Sequence, residues 1–292
     1  MPTFPTPRPI LVAIDMAIAD VTLVATERAE TTVDIRPSRA AKLGDVRAAD
    51  QTAVDFVNDR LTIRGPKPRL LGIGIGRREA VDVTIAVPSG SQLDVDIWAG
   101  SLRAEGRLGK CRVKLGDGNI VLGDVAALIA ETGRGDVDAG EISDRSDINT
   151  GMGAIRIRAV RRAAAIKNSF GAIEIGGVEG EVRISAASGN ITLGETRGNV
   201  VVKTAYGDVR VADVVGGQIQ LDTAYGQAEI GIHDGTAAWL DAHTSYGRVL
   251  NMLGPHDGSP SGETAEIRAR TAYGDIAIRR AVTTHTNGRR VA

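Results

Sequence analysis

The sequence predicts an all-β protein: a single-chain β-solenoid, of the β-helix or β-roll kind, with about 18 residues per coil, two short strands per coil and an N-terminal β cap. Three observations predict it. Glycine returns on a regular beat. Each glycine is followed by a short run in which polar and apolar residues alternate. All four tyrosines sit in one repeated word, "TAYG" at 204–207, 223–226 and 271–274 and "TSYG" at 244–247.

The beat is explicit from residue 100 onward. Gly100 leads "SLRA", Gly118 "NIVL", Gly135 "DVDA", Gly153 "AIRI", Gly171 "AIEI" and Gly189 "NITL". Gly207 leads "DVRV", Gly226 "QAEI", Gly247 "RVLN" and Gly274 "DIAI". The step is about 18 residues up to Gly207, then widens to 19, 21 and 27. A second series half a period away includes Gly109, Gly180, Gly198 and Gly217. Alternation of period two marks a half-buried strand. Two such strands per fixed period give stacked coils, each burying its face against its neighbours. Val200, Val202, Val209, Val211, Ile219, Leu221 and Ile230 are the expected interior of successive coils. Aromatics are only 3% of the chain, so aliphatic columns must supply the core. Thr132, Thr150, Thr204, Thr223, Thr244 and Thr271 stand three places before a corner glycine and form an expected threonine column.

Three segments follow from this reading. Residues 1–88 lack the beat and read as a β cap, with a hairpin around Asn58-Asp59 and a strand stopped at Pro88. Residues 89–281 are the solenoid, and 282–292 a polar tail. A basic loop is expected at 65–78, and a loop at 254–263 accounts for the last, widest step. The final coil, "DIAIRR", reads as an end without a cap, protected by Arg279, Arg280 and the tail or left free for assembly.

Several classes of chemistry find no support. "GIGIG" at 72–76 lacks the following helix of a dinucleotide site. The Gly-Asp pairs lack the calcium nonapeptide, and the four histidines lack zinc spacing. Paired carboxylates such as Asp136 and Asp138, or Asp208 and Asp213, read as solvated strand faces. The expectation is no enzyme, no metal and no cofactor. A net charge of −1 gives no global pull on nucleic acid. The start carries Asp15 and Asp20 inside its apolar run and reads as neither a signal peptide nor a span, which predicts a cytoplasmic protein.

Two surfaces remain as candidates for ligand or partner contact. One is the tyrosine column Tyr206, Tyr225, Tyr246 and Tyr273, expected in four successive coils above Phe170, Met152, Arg134 and Asp117, with Ser188 interrupting. The other is the basic cluster Arg156, Arg158, Arg161, Arg162 and Lys167, with Arg183 about a coil later. The functional expectation is a non-enzymatic scaffold or interaction protein that self-associates through its solenoid ends. The alternative is an adhesin-like module binding a glycan or cell-surface polymer along the tyrosines. A cryptic enzyme is the third reading.

The runs "VPSGSQLDVDIWAGSLRAEGRLGKCRVKLGDGNIVLGDV", "KNSFGAIEIG", "GTAAWLDAHTSYGRVLNML" and "EIRARTAYGDIAIRRA" resemble a bacterial family of β-strand-repeat domains labelled "putative adhesin". The resemblance covers nearly the whole chain and is closest to the actinobacterial branch. It implies a β-solenoid fold and a surface role. It carries over no catalytic residues.

Overall fold

The computed structural model describes residues 1–66, 79–254 and 262–282. The basic loop, the "GIGIG" run, most of the 254–263 loop and the tail beyond 282 lie outside the described residues.

The N-terminal elements in chain order are β1 (Thr3–Pro5), β2 (Leu11–Thr26), β3 (Glu30–Pro37), α1 (Leu43–Asp50), β4 (Ala53–Val57), β5 (Arg60–Arg64) and β6 (Val81–Pro88). Two long strands follow and run through corners: β7 (Gln92–Asp117) and β8 (Ile120–Arg134). The regular coils are built from β9 (Val137–Ile142), β10 (Arg145–Met152), β11 (Ile155–Val160), β12 (Ala163–Phe170), β13 (Ile173–Val178), β14 (Glu181–Ser188) and β15 (Ile191–Thr196). They continue with β16 (Asn199–Tyr206), β17 (Val209–Val214), β18 (Gly217–Tyr225) and β19 (Ala228–Ile232). The last elements are β20 (Ala237–Tyr246), β21 (Val249–Asn251), β22 (Thr264–Tyr273) and β23 (Ile276–Arg280).

The predicted solenoid is present. One face of the roll stacks β8, β10, β12, β14, β16 and β18 in parallel register; the other stacks β9, β11, β13, β15, β17 and β19. Alternate side chains turn inward, as the period-two pattern requires. Ile148, Ile155, Ile173, Val182, Val200, Leu221 and Ile230 are fully buried, and the core is a continuous aliphatic column. Each such side chain contributes roughly 1.5–3 kcal/mol relative to exposure. At the ~4.8 Å spacing of paired strands the stack is a rod on the order of 50 Å long.

The coil order departs from the chain order at both ends. Near the C-terminus, β18 pairs with β22, not β20, and β22 then pairs with β20. The other face repeats this: β19 pairs with β23, and β23 with β21. The chain therefore steps past one coil position, builds the outermost coil, and returns to fill the gap. The wide step from Gly247 to Gly274 is the return path. At the other end β2 lies between β5 and β6 on one side and β7 on the other. Region 1–88 thus contributes coils to the stack as well as a cap. The cap is the antiparallel β4 on β5, β3 on β6 and β1 on β3. Asn58 and Asp59, both at positive φ, make the expected hairpin turn. Asp45 of α1 is buried. Burial would raise its pKa, but bonds from Lys42, the Ala80 amide and Arg39 overcome that and hold the carboxyl below its usual range.

The expectation that "DIAIRR" is the free end is therefore corrected. β23 is internal, and its arginines tie coils together. Arg279 Nε donates to Glu229 Oε1 at 2.8 Å, and Arg280 Nη1 donates to the His233 carbonyl at 2.9 Å.

The corner glycines explain the strict register. Gly207 has φ 141°, and a Cβ built there would lie 2.2 Å from the Gly189 carbonyl oxygen of the coil below. Gly189, Gly226 and Gly274 repeat this contact, each with the corner glycine beneath it. Gly207→Ala should cost roughly 3 kcal/mol, from an unfavourable φ and a steric clash together. Gly177→Ala is the control, because the nearest atom to its Cβ is 3.9 Å away and its φ is not positive. Thermal melts should show a large drop for the first and little change for the second.

Candidate functional site: the aromatic edge

Residues just before the corner glycine leave the core and project from one edge of the roll. The tyrosine column is there, and its rings are half-exposed to largely exposed: Tyr206 57%, Tyr225 47%, Tyr273 46% and Tyr246 67%. Neighbouring rings stack nearly parallel, with centroids 5.0 Å apart for Tyr206–Tyr225, 4.8 Å for Tyr225–Tyr273 and 4.7 Å for Tyr273–Tyr246. The sequence placed them in chain order. The structure orders them 206, 225, 273, 246, because the coil of β22 is inserted beneath that of β20.

Backbone bonds beneath the rings hold this edge. The Thr223, Thr271 and Thr244 hydroxyls donate to the carbonyls of Gly207, Gly226 and Gly274 at 3.2, 3.1 and 2.9 Å. On the far side of the glycine, an Asx side chain accepts the amide of the adjacent coil. Asn190 accepts from Asp208, Asp208 from Gln227, and Asp275 from Arg248, at 3.0, 2.8 and 2.8 Å. The Gly-Asp pairs thus serve the corner. The bond from Arg248 holds Asp275 below the usual carboxylate pKa. Among the described residues no group of three His, Cys, Asp or Glu side chains could hold a metal.

Below Tyr206 the same column continues through Ser188, Phe170, Met152, Arg134 and Asp117, in register. Beside it runs an open groove of about 900 Å³ with Trp98 in its wall. Gly116, Gly133 and Gly151 line it, and a Cβ on any of them would meet the carbonyl of the neighbouring coil at 2.3–2.6 Å, so this row also holds the coils close. Trp98, Phe170 and Met152 are 66%, 55% and 50% exposed. Phe170 and Met152 thus form a second, shorter apolar stretch of the column, separated from the tyrosines by Ser188, with Trp98 beside the column. The sequence reading omitted Trp98, although the alternation in "LDVDIW" already turns it outward, since Leu93, Val95 and Ile97 are buried.

The basic cluster is not a positive patch. Arg156 bonds Asp136 and Asp138, and Arg158 bonds Asp124 at 2.6 Å. Arg161 bridges Glu141 and Glu179, and Arg162 reaches Asp144 at 3.4 Å. Lys167 is exposed on β12, on the other face of the roll from Arg156 and Arg158 on β11. Arg183 lies on β14 and pairs with Glu181 of its own strand. The structure therefore separates Lys167 and Arg183 from the arginines of β11 and neutralises the arginines with carboxylates. Most of these pairs are exposed, so each adds little to stability. Asp213 bonds His233 Nδ1 at 2.9 Å, apart from Asp208. Cys111 is buried, and burial pushes its thiol up to about 12.

The ion-pair lattice has a pH signature. The Glu141 amide, then Arg158, holds the Asp124 carboxyl low; Arg161 holds Glu141 low. A depressed carboxylate favours the fold above its unfolded pKa, and the favour is lost as pH falls through the folded value. Carbon-detected NMR titration should find both groups ionised below the usual values of about 3.9 and 4.3. Arg158→Gln should return Asp124 toward its usual value.

The chain belongs to the Toastrack DUF4097 family, whose profile matches residues 12–279. Solved structures are similar to the chain at low identity. A "putative adhesin" from Bacteroides fragilis is 12% identical with a TM-score of 0.39, over 96% of this chain and 95% of that one. A "putative cell adhesion protein" from Clostridium sporogenes is 11% identical with a TM-score of 0.21, over 96% and 98%. A "putative lipid binding protein" from Parabacteroides distasonis is 13% identical with a TM-score of 0.25, over 96% and 96%. No curated protein matches the chain. No helix among the described residues is long and apolar enough to cross a membrane.

Proposed function

We propose that this protein is a non-enzymatic interaction scaffold whose working surface is the aromatic edge, and that an extended polymer lies along it. The observation that carries the reading is the stack of Tyr206, Tyr225, Tyr273 and Tyr246, ordered by the backbone beneath yet about half open to water. Aromatic rings bring large contact area at small entropic cost, and these are already stacked before any partner arrives. A line of rings at strand spacing suits a linear partner better than a compact one. The polar rim needed for orientation is at hand in Arg134 and Asp117, paired at 3.5 Å.

The partner class favoured is a glycan or other cell-surface polymer, which is what an adhesin would take. The alternative is a scaffold inside the cell, with a protein segment as the partner. Fractionation of the producing cells distinguishes the two.

Ser188 stands in the tyrosine column itself, so serine is a residue this slot accepts. Tyr225→Ser/Tyr273→Ser should keep the fold, losing only stacking of about 0.5–1.5 kcal/mol per pair. The probes are purified peptidoglycan and insoluble chitin and cellulose, in sedimentation assays. The proposal expects the wild-type chain to sediment with at least one of them and the double variant to lose at least tenfold in affinity. Binding that ignores the substitutions would overturn the ladder as the site, and no sedimentation with any probe would overturn the polymer class tested.

A further inference from the structure

The two ends of the rod are finished differently. The N-terminal end is closed with short antiparallel strands, β1 of three residues ending at Pro5 and β4 of five residues carrying Asp55, and α1 packs beside β3. Short strands, proline and charge are the usual protection of a sheet edge. Among the described residues the C-terminal end has no antiparallel cap of this kind. Its outer coil is β20, ten residues without proline or lysine, together with β21. Among the described residues, β20 pairs only with β22 and β21 only with β23, so the outward backbone groups of both strands have no ladder partner.

The core is also cut open there. Ala238, Leu240 and Ala242 stand in register over Ala265, Ile267 and Ala269, which are 3%, 1% and 0% exposed. In the end coil the same columns are only half-buried. Val249 stands over the fully buried Ile276 yet is 44% exposed, and Leu250 and Met252 are 39% and 54% exposed. Trp239 and Tyr246 flank them at 55% and 67%. Among the described residues, one coil's worth of core is thus left open beside an unpaired strand.

We infer that this end is an interface between two copies of the chain, joined tail to tail with β20 antiparallel to β20 of the second copy. Three features select that occupant. The opposite end presents short antiparallel strands, so a head-to-tail filament has no matching parallel edge to extend. An isologous two-fold contact covers both open ends at once and then stops. The polar side chains also match in one register. β20 carries one acid, Asp241, and one imidazole, His243, and pairing centred on Ala242 sets Asp241 of each copy opposite His243 of the other. That register keeps Leu240, Ala242 and Thr244 on the core side of both copies, since a shift of one residue would turn them outward. Arg270 lies within 3.9 Å of Asp241 in the coil beneath and His243 is in register with Arg270, so a second acid at 243 remains next to a cation within its own copy.

The test is light scattering after size exclusion, on the full chain, over about a hundredfold range of concentration. The expected result is a monomer–dimer equilibrium that stops at two. His243→Asp puts acid opposite acid twice per dimer and should weaken association by about tenfold, from like-charge cross-strand pairs of this kind. Asp241→Lys/His243→Asp sets opposite charges across the axis and should recover the dimer to within about threefold of wild type. Both positions are on the outward side of the strand, and a thermal melt confirms that each variant folds. Ala242→Cys should give a covalent dimer on mild oxidation, since Cys111 is buried. A strict monomer throughout, mass growing beyond two, or a dimer indifferent to the charge swap would each overturn the inference.

Discussion

The fold depends on one contact repeated from coil to coil: the carbonyl of each corner glycine occupies the space where the next glycine's Cβ would be. Gly171 over Gly153, Gly189 over Gly171 and Gly207 over Gly189 all show it, at 2.0 to 2.2 Å from the virtual Cβ. No side chain can enter this column, so the coils approach to full strand-pairing distance at the corner. Everything else takes its register from that column. The aliphatic residues two and four places on fall into the core. The residue just before it falls on the outer edge, so that four tyrosines become a stack. Gly247 and Gly274 obey the same contact in reversed chain order, which shows that the constraint acts between neighbours in space, whatever their order in sequence.

That distinction explains what was legible in the sequence. The period, the inward residues, the hairpin at Asn58-Asp59, the threonine column and the tyrosine slot all follow from local pattern. The coil order does not. The words at 223–226, 244–247 and 271–274 present nearly the same faces, so each could stack on any other. Only the lengthening steps hinted that the chain was travelling further than one coil. The insertion has a physical benefit, because the last described coil of the chain is held between two others and cannot peel from the end. β2 is held in the same way at the start.

The ion pairs of the basic cluster are hidden from a linear reading for a related reason. Arg156 and Asp138 are 18 residues apart in the sequence and side by side in space, in β11 and β9. A charge count along the chain sees "RIRAVRR" as positive, whereas reading one period back supplies its carboxylates. Trp98 and Trp239 are placed outside by the same alternation, and they mark two places where apolar surface is open: the groove beside the corner column and the final coil. Arg268 lies 5.8 Å from the Trp239 ring and covers it only in part.

The central claim is the inserted coil, and paired cysteines test it most directly. Gln218 and Glu266 are in-register neighbours on β18 and β22, whereas Trp239 is one strand further out. The account predicts that Gln218→Cys/Glu266→Cys forms an intramolecular disulfide readily in the folded chain, and that Gln218→Cys/Trp239→Cys does not. Cross-linking of 218 to 239 in preference to 266 would mean that the coils stack in chain order, and the arrangement of both the tyrosine stack and the open end would have to be abandoned.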